Sequence, residues 1–236
     1  MPGAFIFQMS KSVDDNRFAF TLKDPAQDYK ITGYAVWDRA QNKIIYKQDT
    51  AELDEVQLDK SGNFLVVKTG KESAGEVRMQ IVNLTTLAVT SFVAGAPDFP
   101  PGHSDNGDKK ILGYDNWNNR FTLMSLENPQ DKKTILDLKN DWTQASHISL
   151  LAHGDQWALV SLYSGNPNPN SLYLGEILLV AADGSGLIKH VARHHSIFRD
   201  YFDAPRANMS RDGRFAVFTS NWGSLTRRDA YIVRLP

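Results

Sequence analysis

Four of the six histidines fall in or next to predicted loops, at wide spacing rather than in a compact motif. They are His103, His147, His194 and His195. Neutral imidazole is a common ligand of divalent metals, and it also serves as a general base. The sequence therefore predicts a metal site formed by these four residues. The alternative is that the histidines pack and form hydrogen bonds with neighbouring strands.

Arg206 is the cation whose position is most informative. It follows Pro205, which fixes its own φ and biases Ala204 toward extended backbone, so the arginine is presented in a set direction. A guanidinium binds a carboxylate through two parallel hydrogen bonds. We predict His147 and Arg206 as a catalytic pair, with a base removing the proton alpha to a uronate carboxylate that Arg206 neutralises. The alternative is that Arg206 pairs with Asp203 or with an acid of a neighbouring strand.

Exposed tryptophan next to asparagine suits a sugar, because indole covers the apolar face of the ring while amides bind its hydroxyls. Trp117 and Trp222 have this setting, and we predict them as ligand-binding residues together with Asn221 and Asp105. Packing between sheets is the alternative for both tryptophans, and packing is expected for Trp142.

A repeat explains how these residues are positioned. A polar turn followed by a short apolar strand occurs five times, at steps of 46, 45, 47 and 59 residues, and most copies are followed by two further strand-like runs. A step near 46 residues is typical of four-stranded propeller blades, whereas a β-sandwich gives no reason for it. We predict an all-β chain of about 19 strands with almost no helix. The register residues are Asn16, Gly62, Gly107, Gly154 and Gly213.

The repeat divides the chain into five blades of one β-propeller domain over residues 1–236. The last blade lacks a fourth strand. Either Ala4–Phe7 supplies that strand and closes the ring, or the five blades belong to a larger ring of seven or eight. The predicted blades span residues 4–48, 49–94, 95–138, 139–192 and 193–236.

The predicted loops differ between the two ends of the blades. The A–B and C–D turns are short, whereas the B–C and D–A loops are long and irregular. Long loops on a rigid scaffold are where binding residues concentrate. The four histidines, Arg206 and the candidate tryptophans all fall on the long-loop side. We therefore expect His103, His147 and at least one of His194 and His195 to point toward one channel mouth.

The fifth repeat, Met209–Asn221, resembles the Ser-Pro-Asp-Gly-Arg repeat of TolB-type, WD-repeat-like β-propellers, with Arg211 in place of the proline. The stretch 147–236 also resembles bacterial oligogalacturonate lyase-related propellers. The second resemblance implies a manganese site of histidines plus a glutamine, although the chain has no His-x-His pair. The expected cofactor is a divalent metal, manganese or calcium, or none. The matching segments are Ser146–Ser149, Gly175–Ile177, Asp183–Gly186, His194–Ser196, Pro205–Arg206 and Ser220–Gly223.

Composition limits the partners. The 236 residues include 42% hydrophobic and 22% charged residues, enough for a core, and the net charge of −1 gives no case for nucleic acid or an anionic membrane. The chain has no cysteine, which excludes disulfides and thiol chemistry. The first residues lack the features of a signal peptide and no apolar run reaches a membrane span, so we expect a soluble protein, periplasmic or extracellular if it is part of an exported one.

Two functions remain open at this point. The first is a glycan-binding or glycan-cleaving propeller for acidic oligosaccharides, acting as a lyase if it is an enzyme. The second is a non-catalytic propeller that binds protein partners. The first requires the histidines, Arg206 and the tryptophans to share one concave mouth.

Overall fold

The structure, a computed structural model, describes residues 5–71, 73–95 and 101–236. Within them, all regular elements are β-strands apart from two short 3₁₀ turns, Pro25–Gln27 and Tyr201–Asp203. The nineteen strands of this part form five antiparallel sheets, four with four strands and one with three. Strands consecutive in sequence are neighbours in every sheet, as in propeller blades. The predicted all-β fold with about 19 strands is confirmed.

The chain divides into two compact units, and sheets 1 and 2 lie in the first. Their facing sides bury Val36, Leu58, Leu65 and Val82 in one apolar cluster. Sheet 1 contains β1 (Phe5–Lys11), β2 (Arg17–Asp24), β3 (Lys30–Asp38) and β4 (Lys43–Asp49). Sheet 2 contains β5 (Glu55–Leu58), β6 (Phe64–Lys68), β7 (Val77–Asn83) and β8 (Val89–Val93).

Sheets 3, 4 and 5 form the second unit. Leu112 and Phe121 pack with Leu178 between sheets 3 and 4, and Leu159 packs with Phe218 between sheets 4 and 5. Sheet 3 contains β9 (Ser104–Asn106), β10 (Lys110–Asp115), β11 (Arg120–Ser125) and β12 (Lys132–Asp137). Sheet 4 contains β13 (Ala145–Ser149), β14 (Trp157–Tyr163), β15 (Glu176–Ala181) and β16 (Ile188–Arg193), and sheet 5 contains β17 (Asn208–Met209), β18 (Phe215–Ser220) and β19 (Asp229–Arg234).

The repeated polar turn works through a side-chain oxygen. Asp59 accepts the backbone N–H of Phe64 at 2.9 Å, and Ser210 accepts that of Phe215 at the same distance. Each bond satisfies the first donor of the strand that follows. Gly62 and Gly213 turn the chain with φ of 73° and 70°, backbone that glycine adopts at little cost. The turn residues of the repeat are therefore a structural signal.

The pairing of the first strand shows whether Phe5–Phe7 completes the last sheet. This segment belongs to β1, which pairs with β2. It is not the fourth strand of sheet 5, so that alternative is wrong for Phe5–Phe7, while Ala4 lies outside the described residues. Sheet 5 has three strands, as predicted. In the described ranges, no helix is long and apolar enough to cross a membrane.

Candidate functional site

The long loops of the second unit lie at one end of their sheets. In each sheet the B–C loop follows the second strand, and the D–A loop leads into the first strand of the next sheet. Antiparallel pairing brings both to the same end, as the sequence predicted. These loops comprise residues 116–119, 138–144, 164–175, 194–207 and 221–228.

Two predicted histidines meet at this end of sheets 3 and 4. The rings of His103 and His147 stack with centroids 5.0 Å apart, and the other neighbour of His147 is the ring of Tyr163 at 5.8 Å. Strand pairing explains the second contact, because Ala145 lies opposite Tyr163 and His147 lies opposite Ser161. Phe198 of the following loop extends the row, 4.9 Å from Tyr163.

A hydrogen bond to the backbone fixes the tautomer of the His103 ring. Its Nδ1 lies 2.8 Å from the carbonyl oxygen of Ser146. A carbonyl only accepts, so Nδ1 carries the proton and donates it, which leaves Nε2 as an acceptor in the neutral ring. His103 is exposed at the surface. It can therefore offer one imidazole acceptor to a ligand.

His147 is kept neutral by its surroundings. Burial, together with His103 and the positive charge of Arg206, lowers the pKa of His147 from 6.5 to about 4. Its Nε2 is buried without a hydrogen-bond partner. Burial also raises the pKa of Tyr163, although the charge of Arg206 opposes this. A neutral imidazole, a phenol and a guanidinium thus lie close together.

Arg206 is held by Tyr201. Its guanidinium carbon lies 3.8 Å from the centre of the Tyr201 ring, and one terminal nitrogen donates to the Tyr201 carbonyl at 2.7 Å. The backbone of Arg206 has φ of 41°, in the left-handed region, where a residue with a side chain costs about 1–2 kcal/mol. Its Nε is buried and unpaired, and the described carboxylates make no ion pair with it.

The acid expected as the alternative partner of Arg206 is engaged elsewhere. Burial tends to raise the pKa of Asp203, but hydrogen bonds from Asn221, Arg199 and Arg228 outweigh it and hold this pKa far below its usual range. Arg199 binds Asp203 at 3.1 Å and Arg228 binds it at 2.9 Å. The alternative pairing of Arg206 with Asp203 is therefore wrong.

Three predicted site residues act inside the fold. The Asn221 amide accepts from Ile197 and Gly223 and donates to Ile197 and Asp203, which uses all its hydrogen-bonding capacity. The ligand role predicted for Asn221 is therefore corrected: this side chain holds the loop.

His194 is the second correction, because both ring nitrogens are bonded within the protein. Nε2 donates to the Leu162 carbonyl at 3.0 Å and Nδ1 accepts from the Ser196 N–H at 2.9 Å, so no lone pair is left for a metal. Asp105 also bonds within the fold: its two oxygens accept the N–H groups of Asn106 and Leu150, and the second bond links sheets 3 and 4. A carboxylate keeps further lone pairs, so the ligand role predicted for Asp105 stays a prediction.

His195 and Trp222 form a separate aromatic row. Their ring centroids are 4.3 Å apart, and the Trp222 ring is 5.2 Å from that of Tyr231. Trp222 is 54% exposed, but its ring also contacts the rings of His195 and Tyr231. Trp117 is 49% exposed, as its predicted role requires, and Trp142 is 54% exposed, which corrects the expectation that it packs.

The structure brings together two of the four predicted metal ligands. In residues 5–71, 73–95 and 101–236, no three His, Asp or Glu side chains are placed to hold an ion. Of the predicted ligands, His103 and His147 come together, His194 is fully bonded and His195 contacts Trp222. These residues do not fit the set of histidines and a glutamine that the resemblance implied.

Tyr163 and Tyr201 belong to this group of residues but were not predicted from the sequence. Tyr163 ends an apolar strand and was indistinguishable from a core residue. Tyr201 lies in a loop five residues before Arg206, a spacing with no recognised motif. Only the 3₁₀ turn at Tyr201–Asp203, capped by Asp200, places its carbonyl and ring beneath the guanidinium.

Antiparallel four-stranded meanders with long loops at one end define the class: the chain has the β-propeller fold. No protein-family model matches the sequence, and no curated protein matches it significantly. The structure is similar to an oligogalacturonate lyase from Vibrio parahaemolyticus, with a TM-score of 0.66 and 11% identity over 100% of this chain and 67% of the lyase.

Other propellers are also similar. The β-propeller domain of the Trilobed protease from Pyrococcus furiosus has a TM-score of 0.55 at 11% identity, covering 97% of this chain and 68% of that one. The Pan2 WD40 domain of Neurospora crassa has a TM-score of 0.57 at 10% identity, covering 98% and 63%. Identities this low show the fold alone, and the chain spans about two thirds of these proteins.

Proposed function

We propose that the second unit binds an acidic oligosaccharide, with Arg206 receiving a uronate carboxylate. The observation that carries the proposal is a guanidinium held in place by Tyr201 and free of any carboxylate among the described residues. A cation fixed in this way is preorganised for an anion, and arginine suits the planar carboxylate group. An oligogalacturonate lyase is among the proteins of similar fold, a likeness that by itself shows the fold alone.

Each neighbouring residue has a role in the proposed complex. His103 offers Nε2 as an acceptor for a sugar hydroxyl, since its Nδ1 is committed to Ser146. His147 contributes a neutral ring beside Arg206. Since this ring carries no negative charge, it does not compete with the ligand for the positive charge of Arg206. The Nε–H of Arg206 is a buried donor without a partner, and in the proposed complex the uronate carboxylate accepts from it.

Binding is better supported than cleavage. With a pKa of about 4, the His147 ring is unprotonated at neutral pH, as a general base must be. The same low pKa makes it a weak base, which removes a proton from a substrate poorly. The catalytic role of His147 therefore stays a prediction. So does a divalent metal, which this proposal does not use.

Calorimetric titration with trigalacturonate tests the proposal, with galactotriose as the neutral control. We expect a saturable signal for the acidic trimer and at least about tenfold weaker binding of the neutral one. Equal affinity for both, or no binding of either, contradicts the proposal. Ultraviolet absorbance of unsaturated uronate in the same mixture reports whether cleavage accompanies binding.

A non-catalytic protein-binding scaffold is the second candidate. Ile197, Phe202 and Leu225 are 56%, 65% and 80% exposed, on two loops that Asp203 and Asn221 hold together. Exposed apolar side chains on a well-held surface are typical of a protein contact. Failure of the titration, with slow hydrogen exchange throughout these loops, would favour this candidate.

A further inference from the structure

Two exposed tryptophans lie on neighbouring loops at the proposed binding end. Trp117 is in the loop between β10 and β11, and Trp142 is in the loop between β12 and β13. They are 49% and 54% exposed. Both indoles are exposed to solvent at the same end of sheet 3, and neither belongs to the apolar clusters between the sheets.

The two loops are tied to each other. The N–H of Leu138 donates to the carbonyl of Asn119 at 3.2 Å, and the N–H of Asp141 donates to that of Leu138 at 3.1 Å. Burial raises the pKa of Tyr114, and the charges of its neighbour Asp115 and of Asp141 add to this, so the loop that carries Asp141 approaches β10. Trp117 and Trp142 are therefore carried by one connected surface.

Each indole has an exposed amide close by in sequence. Asn116 precedes Trp117, and Asn140 lies two residues before Trp142. Within the described chain, neither side-chain amide forms a hydrogen bond. An apolar ring face with amide donors and acceptors at its edge matches a sugar ring, which is apolar on one face and carries hydroxyls at its rim.

This surface continues into the histidine pair. The N–H of Gly102 donates to the carbonyl of Tyr114 at 3.1 Å, and the N–H of Tyr114 donates to the carbonyl of His103 at 3.0 Å. A Cβ at Gly102 would lie 3.0 Å from the Asn116 amide, so glycine permits the close approach of the two segments. Trp117 and His103 thus belong to adjoining, directly bonded segments.

We propose that Trp117 and Trp142 form an aromatic subsite for a second sugar ring, beside the subsite that takes the uronate carboxylate. The inference rests on the proposed function and deepens it. The ligand is then an oligosaccharide of at least two rings, of which only one must present its carboxylate to Arg206. Affinity rises with chain length because the additional ring stacks on indole.

The experiment compares galacturonic acid with trigalacturonate in calorimetric titrations of wild type, Trp117→Ala and Trp142→Ala. Each variant should bind the trimer about tenfold more weakly and the monomer within about twofold of wild type. Trp117→Phe and Trp142→Phe should recover most of the loss, because they keep a ring. Leu187→Ala is the matched control, since Leu187 is 55% exposed in the turn between β15 and β16, at the opposite end of sheet 4.

The outcomes separate the two proposals. If wild type binds no trigalacturonate, the proposed function fails and the subsite with it. If wild type binds the trimer and both alanine variants bind it equally well, the aromatic subsite alone is wrong and the carboxylate subsite stands. Circular dichroism and melting temperatures matched to wild type are required of each variant.

Discussion

The guanidinium of Arg206 lies over the ring of Tyr201, 3.8 Å from its centre, and also donates to the carbonyl of Tyr201 at 2.7 Å. One residue thus holds the cation through both its side chain and its backbone. The guanidinium keeps its other donors, and none of the described carboxylates pairs with it. This arrangement fixes the charge without neutralising it.

Replacing Tyr201 tests this positioning. Tyr201→Ala removes the ring but keeps the carbonyl, and we expect trigalacturonate to bind about threefold more weakly, the value of a partly exposed cation–π contact. Tyr201→Phe keeps both contacts and should bind like wild type. Titration of the two variants side by side is the measurement. Equal affinity in both would show that the ring does not position Arg206.

Asp203 is expected to hold the loops rather than the ligand. Asp203→Asn leaves Arg199 and Arg228 without their shared carboxylate and should lower the free energy of unfolding by about 3 kcal/mol. Urea denaturation measures this change. The control is Asp49→Asn, which removes the exposed ion pair with Lys47 and should leave the urea midpoint nearly unchanged. Comparable losses in the two variants would contradict the structural role of Asp203.

Stability should depend on the protonation of His147. Above pH 6.5 the ring is neutral in both states and contributes nothing. Between 6.5 and about 4 the unfolded chain takes up a proton that the folded chain excludes, so the folded state loses stability as pH falls. The loss should approach about 1–2 kcal/mol, less than the full shift implies because the ring is partly exposed.

His147→Phe isolates this effect. The variant keeps the stack on Tyr163 and has no titrating ring, while His194, whose pKa burial also lowers, is present in both proteins. The variant should therefore gain stability relative to wild type as pH falls from 6.5 to about 4. Urea unfolding at several pH values measures the difference. A difference independent of pH would mean that His147 does not titrate as described.

Much of the fold could be predicted from the sequence because the repeated turn is local. Asp59 and Ser210 each bond a backbone N–H five residues later, so the turn and the following strand are encoded in one short segment. The meeting of His103 and His147 followed from blade topology. Both precede or occupy the first strand of consecutive sheets, and the two first strands, β9 and β13, are neighbours.

The failures concern polar side chains whose partners are distant in sequence. Asn221 and His194 are residue types that are common in binding loops. In the structure Asn221 donates to the Ile197 carbonyl and His194 donates to the Leu162 carbonyl. Residue type alone does not distinguish a loop amide that binds a ligand from one that closes the loop. Trp142 shows the opposite error: it was expected to pack but is exposed, because its exposure depends on the path of the whole loop.

Titration of Arg206→Lys with trigalacturonate tests the central claim most directly. Lysine keeps the charge and loses the planar fork, so we predict binding about tenfold weaker than wild type at an unchanged melting temperature. Arg227→Lys is the matched control, because Arg227 is exposed and paired with Asp229, and it should bind like wild type. Wild-type affinity in Arg206→Lys, with a lowered melting temperature, would contradict the account and make Arg206 a structural residue.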